Sequence, residues 1–280
     1  MTRLAKDSPF AWLTGEFLGT FLLVFFGCGS VCAAVLHGAQ VGIFQVAIVW
    51  GLGIAIAIHL TASLSGAHLN PAITIAAACF AGFDRSKIVP YIGSQLAGAF
   101  AAAAVLYVIF GGSLETFEKA NAITRGESGS EASAMIFGEY FPNPGGHAIT
   151  PELRERNPLW RAAVIEVVGT AVLALAIFGL TDHRNSERPT ALAPLMIGLT
   201  VTILISLLGP LTMACFNPAR DLGPRLFSSL AGWRTVPFTV NGLGWLVVYV
   251  CAPILGGILG GAVWHRGLSP LYRATHREVV

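Results

Sequence analysis

Two short stretches decide the fold: His68-Leu69-Asn70-Pro71-Ala72 and Cys215-Phe216-Asn217-Pro218-Ala219. Each places Asn-Pro-Ala at the start of an apolar piece that is too short to cross a bilayer. Asn is a preferred N-cap and Pro a preferred first helical residue, so each tripeptide predicts the start of a helix. If Asn70 and Asn217 cap with their oxygens, their NH2 groups remain free as donors. Both helices would then aim their positive ends at one point in the membrane.

Charged residues are too few for a soluble protein of this length. Asp, Glu, Lys and Arg make up 11% of the 280 residues, and apolar residues make up 54%. Soluble chains carry about 25% charged residues. The composition therefore argues against a soluble enzyme and against a disordered chain, which needs low hydrophobicity and high charge. A formal net charge of +2 provides no basic surface, so we expect no nucleic-acid partner.

Long uncharged stretches predict a membrane protein. No Asp, Glu, Lys or Arg occurs in residues 17–83, 88–114, 167–181, 189–219 or 235–265. A helix needs about 20 apolar residues to cross the hydrocarbon core. The stretches therefore predict six spans: Ala11–Leu36, Val41–Ser63, Ile88–Gly111, Trp160–Leu180, Ala191–Gly209 and Asn241–Trp264.

Two apolar pieces are left over, Pro71–Phe83 and Pro218–Gly232, and each begins inside an Asn-Pro-Ala motif. They are long enough to enter the membrane and turn back. Irregular backbone at that depth is tolerated only inside protein or beside a water-filled path. We therefore expect an all-α membrane protein with six transmembrane helices and two re-entrant half-helices around a transport path.

The two halves of the chain repeat each other. Glu16-Phe-Leu-Gly19-Thr20 in the first span matches Glu166-Val-Val-Gly169-Thr170 in the fourth. Because each half has three spans, the halves insert with opposite orientations, and such inverted repeats place their site near the midplane. We expect one transmembrane channel domain over residues 1–280, with a first repeat at 11–111, a long extracytoplasmic loop at 112–159 and a second repeat at 160–265.

Lys and Arg residues fall mainly on one side of this arrangement. An even number of spans puts both chain ends on that side, which collects Arg3, Lys6, Arg85, Lys87, Arg184, Arg188, Arg266, Arg273 and Arg277. The segment 112–159 on the other side has more Glu than Lys and Arg. Since cytoplasmic loops carry the excess of Lys and Arg, both termini are predicted to be cytoplasmic, with the chain in an inner or plasma membrane.

The motifs resemble those of the aquaporin superfamily, the major intrinsic proteins, and specifically its glycerol-facilitator or aquaglyceroporin branch. The residues that carry the resemblance are both Asn-Pro-Ala motifs, the paired Glu16 and Glu166, Ser65-Gly66-Ala67-His68, and the run Asn217-Pro218-Ala219-Arg220-Asp221-Leu222-Gly223-Pro224-Arg225. The resemblance implies one pore per subunit and a homotetramer. In that family an Asp directly after the pore arginine, here Asp221, goes with solute-conducting members.

The resemblance also implies a narrow selectivity filter made of Trp50, Ile205, Ala214 and Arg220. Arg220 would offer hydrogen-bond donors to passing hydroxyls, and Trp50 would form a flat apolar wall opposite it. Glycerol facilitators typically have Gly and Phe where this chain has Ile205 and Ala214. We therefore expect glycerol to pass with weaker discrimination among polyols and urea.

Glu16 and Glu166 are interpreted as supports for the re-entrant loops, whose N–H groups have no water to bind. A proton relay is the alternative role for these carboxylates. The five cysteines are expected to be buried and reduced, because none pairs with a His at metal-ligand spacing. No motif for catalysis or for a cofactor occurs, so we expect no enzyme activity, no catalytic residue and no metal.

The sequence therefore predicts a passive channel for glycerol and other small uncharged solutes, with water passing as well. The alternative within the same family is that this chain is a channel for water, urea, ammonia, hydrogen peroxide or metalloid acids. From a different class comes an ion-coupled secondary transporter, which also uses inverted repeats and broken helices. The expected partners are the solute, membrane lipid and the other subunits of a homotetramer.

Overall fold

The computed structural model describes residues 8–39 and 42–275, and this part of the chain is helical without a β-strand. The helices are α1 Pro9–His37, α2 Ile43–Ser65, α3 Pro71–Phe80, α4 Ile88–Ala120, α5 Glu131–Ala134, α6 Pro151–Arg156, α7 Leu159–Thr181, α8 Ala193–Thr212, α9 Pro218–Ser228, α10 Val236–Thr239 and α11 Gly244–Tyr272. The predicted Val41, Arg3, Lys6 and Arg277 lie outside the described residues.

Within the described residues, six helices are long and apolar enough to cross a membrane: α1, α2, α4, α7, α8 and α11. The helices α3 and α9, here called the half-helices, begin at Pro71 and Pro218 and have 10 and 11 residues. This confirms the predicted fold class, an all-α multi-pass membrane protein with two half-length helices.

Some helices end at other residues than predicted, because of local backbone conformation or side-chain contacts. The half-helix that starts at Pro71 ends at Phe80, short of the predicted Phe83, and Gly82 follows with a φ angle of 71° that a helix cannot adopt. After the half-helix Pro218–Ser228, a wider helical turn continues the chain to the predicted end at Gly232, whose φ angle is 113°. The helix α4 runs on to Ala120 instead of Gly111. It is anchored beyond the membrane by Glu118, whose carboxylate accepts from Arg125 Nε at 2.9 Å.

The two halves of the chain interlock. Helix α1 packs on α2 and α4, and α7 packs in the same way on α8 and α11. Helix α2 packs on α8 across the halves. The half-helix α3 packs on α11, and α9 packs on α4, so each half-helix rests against the third span of the other half. The point where the half-helices meet is therefore fixed by both halves together.

Glycines let the helix backbones touch at these crossings. A Cβ atom at Gly198 of α8 would lie 2.2 Å from the carbonyl oxygen of Gly51 in α2. A Cβ atom at Gly260 of α11 would lie 2.2 Å from the Ala171 carbonyl oxygen in α7. Because no other residue fits, the small residues allow the close packing that drives helix association in lipid.

The expectation that all five cysteines are buried is wrong for two of them. Cys28, Cys32 and Cys215 are buried, whereas Cys79 and Cys251 are exposed on the surfaces of α3 and α11. In a membrane protein, apolar neighbours in sequence do not separate the protein interior from the lipid-facing surface.

Candidate functional site

The half-helices start at two capped asparagines. Asn70 Oδ1 accepts the Ala72 N–H at 2.8 Å. Asn217 Oδ1 accepts the N–H groups of Ala219 at 3.1 Å and Arg220 at 3.3 Å. Each Asn has extended backbone and is followed by Pro at the first helical position, as the sequence predicts.

The asparagine amides also tie the two halves together. Asn70 Nδ2 donates to the Phe216 carbonyl oxygen at 2.8 Å, and Asn217 Nδ2 donates to the Leu69 carbonyl oxygen at 2.8 Å. The expectation that both NH2 groups are entirely free is therefore wrong: each uses one N–H to bind the other loop and keeps a second. The loop carbonyls reach the amides because Leu69 and Phe216 have φ angles of 52° and 51°.

Glu16 and Glu166 are fully buried and bind the loop backbone. Glu16 accepts the N–H groups of His68 at 3.0 Å and Leu69 at 2.8 Å. Glu166 accepts those of Cys215 at 3.0 Å and Phe216 at 2.8 Å. Further donors are Gln95 Nε2 to Glu16 at 2.7 Å and Thr212 Oγ1 to Glu166 at 2.7 Å. With these acceptors occupied, the carboxylates hold the loops in shape.

Two cavities lie among α1, α2, α7, α8 and the half-helices. The inner cavity has a volume of about 420 Å³ and is bordered by His68, Asn70 and Asn217 and by an apolar wall. The outer cavity has a volume of about 410 Å³ and is bordered by residues of the segment 112–159, among them Asn143 and His147. Three residues border both cavities: Trp50, Ile205 and Arg220. Ala214 borders the inner cavity.

Arg220 and Trp50 are stacked, and this corrects the expected geometry. The guanidinium carbon lies 4.2 Å from the centroid of the Trp50 ring, which is contact distance and leaves no room for a solute between them. Cation–π attraction favours this arrangement in a site where both groups are shielded from bulk water. Trp50 therefore does not stand across a gap from Arg220. Ile205 and Ala214, the other two residues expected in the filter, both border the inner cavity.

Arg220 has a second partner that sequence reasoning missed, the fully buried Glu139. The two side chains form an ion pair, and Arg220 Nη1 also lies 4.0 Å from the Cys28 sulfur. Burial raises the pKa of the Glu139 carboxyl, and the adjacent Arg220 guanidinium opposes that rise by stabilising the charged carboxylate. No motif distinguishes Glu139 from the other glutamates of the segment 112–159.

Asp221 lies behind the cavities instead of facing them. It is fully buried, borders neither cavity and accepts from Arg225 Nε and Nη2, both at 2.8 Å. It also accepts the Glu139 N–H at 2.7 Å. The residue expected to accompany solute conduction therefore makes no direct contact with a solute in either cavity.

No group of three or more His, Cys, Asp or Glu side chains that could hold a metal ion occurs among residues 8–39 and 42–275. The polar side chains that border the inner cavity include the amides of Asn70 and Asn217, the imidazole of His68 and the guanidinium of Arg220. Such atoms can exchange hydrogen bonds with a neutral solute as it passes.

Comparison with known proteins agrees with this architecture. The chain is 44% identical to the glycerol uptake facilitator protein of Pseudomonas aeruginosa over 92% of this chain and 89% of that protein. It is 42% identical to the propanediol uptake facilitator PduF of Citrobacter freundii over 92% of both chains. The X-ray structure of the aquaglyceroporin from Plasmodium falciparum superposes with a TM-score of 0.80 at 27% identity, covering 95% of this chain and all of that one.

A family model gives the same result over most of the chain, because the model described as Major intrinsic protein matches residues 6–264. Together with the relatives above 40% identity, this match shows that the chain belongs to the major intrinsic protein family.

Proposed function

We propose that the protein is a passive channel for glycerol and other small uncharged solutes, with water as a second permeant. The observation that carries this proposal is the pair of cavities that share Trp50, Ile205 and Arg220 as a common border, beside the capped starts of the half-helices. A solute crosses by entering one cavity, passing these residues and leaving through the other.

The selectivity filter of this path consists of Trp50, Ile205, Ala214 and Arg220. Because Arg220 covers the face of Trp50, the solute passes along the edge of the stacked pair. Its hydroxyl groups accept from free guanidinium N–H groups, and its carbon atoms face Ile205 and Ala214. At the meeting point of the half-helices, the second N–H of Asn70 and that of Asn217 donate to the same hydroxyl groups of the solute.

Glycerol is the preferred solute in this proposal. Relatives at 44% and 42% identity are named as uptake facilitators for glycerol and for propanediol, which are both short polyols. A short polyol presents carbon on one edge and hydroxyls on the other, which suits a path with an apolar side and a line of donors.

Charged solutes are excluded by the same groups. The half-helices direct their positive ends to the meeting point, each equivalent to about half an elementary charge. The positive charge of Arg220 is largely balanced by Glu139 in the ion pair, so the repulsion comes mainly from the half-helix ends. A cation therefore meets repulsion without a carboxylate ring that could replace its water shell.

Ion-coupled transport is disfavoured by the contacts of the buried carboxylates. Glu16 and Glu166 bind loop N–H groups, and Asp221 binds Arg225 and the Glu139 N–H. A coupling ion needs oxygen ligands that are available, and these oxygens are occupied. Transport in this proposal breaks no covalent bond, so the protein acts as a channel and not as an enzyme.

We propose the assembly that the family resemblance implies and the orientation that the distribution of Lys and Arg predicts. The protein is a homotetramer in the inner or plasma membrane, with both termini in the cytoplasm and with repeats at residues 11–111 and 160–265. The orientation is supported by Arg85, Lys87, Arg184 and Arg188, which lie in the segments joining α3 to α4 and α7 to α8 on the side of the chain ends.

Stopped-flow light scattering on proteoliposomes tests the proposed function. Water, glycerol and urea permeabilities are compared in one preparation, with protein-free vesicles as the control. We expect glycerol to enter faster than in protein-free vesicles, in proportion to the amount of protein. A water permeability above the control with no added glycerol permeability would instead identify a water channel.

A further inference from the structure

The buried pair of Asp221 and Arg225 holds part of the segment 112–159 against α9. The two side chains are four residues apart on α9 and form two parallel hydrogen bonds, Arg225 Nε to Asp221 Oδ2 and Arg225 Nη2 to Asp221 Oδ1, both 2.8 Å. The side chains are 0% and 2% exposed. Such a fork between Arg and a carboxylate fixes direction as well as distance.

Both backbone polar groups of Glu139 are bound by this pair. Asp221 Oδ1 accepts the Glu139 N–H at 2.7 Å, and Arg225 Nη2 donates to the Glu139 carbonyl oxygen. Arg225 Nη1 donates to the Pro237 carbonyl oxygen. The guanidinium carbon also lies 5.0 Å from the Tyr140 ring centroid, which fixes the residue after Glu139 as well.

The side chain of Glu139, in turn, is the charged partner of Arg220. A continuous set of contacts therefore runs from the Asp221–Arg225 pair through the Glu139 backbone and carboxylate to the Arg220 guanidinium. Asp221 and Arg225 border neither cavity, so they can affect a solute only through this connection.

We propose that Asp221 and Arg225 are positioning residues that set the location of Arg220 in the filter by holding Glu139. This inference rests on the proposed function and deepens it, because it names residues outside the path that set the position of Arg220. When the pair is broken, Glu139 loses its backbone anchor and the Arg220 guanidinium is free to leave the Trp50 face. The width and the donor positions of the filter then change together.

The first test is Asp221→Asn in proteoliposomes, because the amide keeps the size of the side chain and removes the charge that orients Arg225. We expect the ratio of glycerol to water permeability to change at least about threefold, which is the scale of coupling within one buried network. A double-mutant cycle with Arg220→Ala shows whether the effect passes through Arg220. In the Arg220→Ala background, Asp221→Asn should leave the ratio unchanged.

The chain offers a matched control in a second Arg–Asp fork. Arg184 donates to Asp182 through Nε to Oδ1 at 2.9 Å and through Nη2 to Oδ2 at 2.6 Å, in a setting where the Arg184 side chain is 24% exposed. Neither residue borders either of the two cavities. Asp182→Asn should lower thermal stability without moving the permeability ratio. If Asp221→Asn does not fold, Asp221→Asn/Arg225→Gln replaces it, since removing both charges together avoids an unpaired buried one.

The proposal is overturned if a folded variant of the pair keeps the wild-type ratio, or if it shifts the ratio equally in the Arg220→Ala background. Failure of the proposed function is seen separately, as wild-type glycerol permeability no higher than that of protein-free vesicles. In that case the water permeability of the variants relative to wild type still tests the positioning role.

Discussion

Trp50 lies between the guanidinium of Arg220 and the backbone of Gly27. On one face the Arg220 guanidinium carbon is 4.2 Å from the ring centroid. On the other face the ring packs so closely on α1 that a Cβ atom at Gly27 would lie 2.2 Å from Trp50 Cε3. The position of the Trp50 ring is thus set by a glycine on a neighbouring helix.

Gly27→Ala should therefore impair conduction. The new methyl group cannot fit, and overpacking of this kind costs about 1–3 kcal/mol unless the ring moves. Trp50 is expected to move toward Arg220 and into the path. Glycerol permeability should fall at least about tenfold, which corresponds to about 1.4 kcal/mol in the barrier. Stopped-flow measurements on equal amounts of folded protein check this.

Gly29→Ala is the control, because its Cβ atom would lie 3.3 Å from Leu106 Cδ2, the end of a flexible side chain. This variant should conduct as the wild type does. Equal permeability for Gly27→Ala and Gly29→Ala would show that Trp50 is not held in the way described.

The fold could be predicted from the sequence because its signals are local or repeated. The uncharged stretches give the spans, and the two Asn-Pro-Ala motifs give the half-helix starts from the preferences of Asn and Pro. Helix ends were less accurate, since the continuation of α4 to Ala120 depends on tertiary contacts of Glu118.

Site residues could be predicted from the sequence only where a local motif locates them. Arg220 follows directly after a motif, whereas Glu139 reaches it from a distant segment that is rich in glutamate. Nothing in the local sequence says which glutamate pairs with Arg220, and Glu118 and Glu131 are buried as well. The stacking of Arg220 on Trp50 was missed for a related reason, because side-chain rotamers depend on neighbours such as Gly27 that are brought together by folding.

The pair Ile205 and Ala214 should govern discrimination between solutes. Ile205 adds bulk beside Arg220, and Ala214 leaves space on the wall of the inner cavity. We expect Ala214→Phe with Ile205→Gly to raise the ratio of glycerol to urea permeability, since shape complementarity sets this discrimination. Ala214→Phe alone should crowd the path and slow both solutes. An unchanged ratio in the double variant would place the discrimination elsewhere.

Glu166→Ala should lower stability more than it changes selectivity. The substitution leaves the buried N–H groups of Cys215 and Phe216 without an acceptor, at about 1–3 kcal/mol for each group. The folded yield in detergent and the thermal midpoint should both fall. Glu155→Ala, at an exposed position on α6, is the control and should behave as wild type. A stable, monodisperse Glu166→Ala protein with a new solute preference would contradict the supporting role.

The contribution of Asp182 to the stability of the folded protein should decrease at acidic pH. Burial alone would raise the pKa of this carboxyl, but hydrogen bonds from Arg184 and Trp264 outweigh it and hold the pKa below its ordinary value of 3.8. Because the pKa is lower in the folded protein, the stabilisation is complete above about pH 4 and is lost as the pH falls further. The difference in thermal midpoint between wild type and Asp182→Asn should therefore shrink below pH 4. A difference that stays constant from pH 7 to pH 3 would exclude this linkage.

We propose that neutral solutes cross passively beside Arg220, and the dependence of the flux on solute concentration tests this most directly. Glycerol flux into proteoliposomes is measured over a wide range of gradients, with and without ion gradients, and the current is recorded from the same protein in a planar bilayer. We expect a glycerol flux that is linear in the glycerol gradient, does not depend on ion gradients and carries no current. A flux that saturates and requires an ion gradient, or a current that scales with the amount of protein, would contradict this proposal.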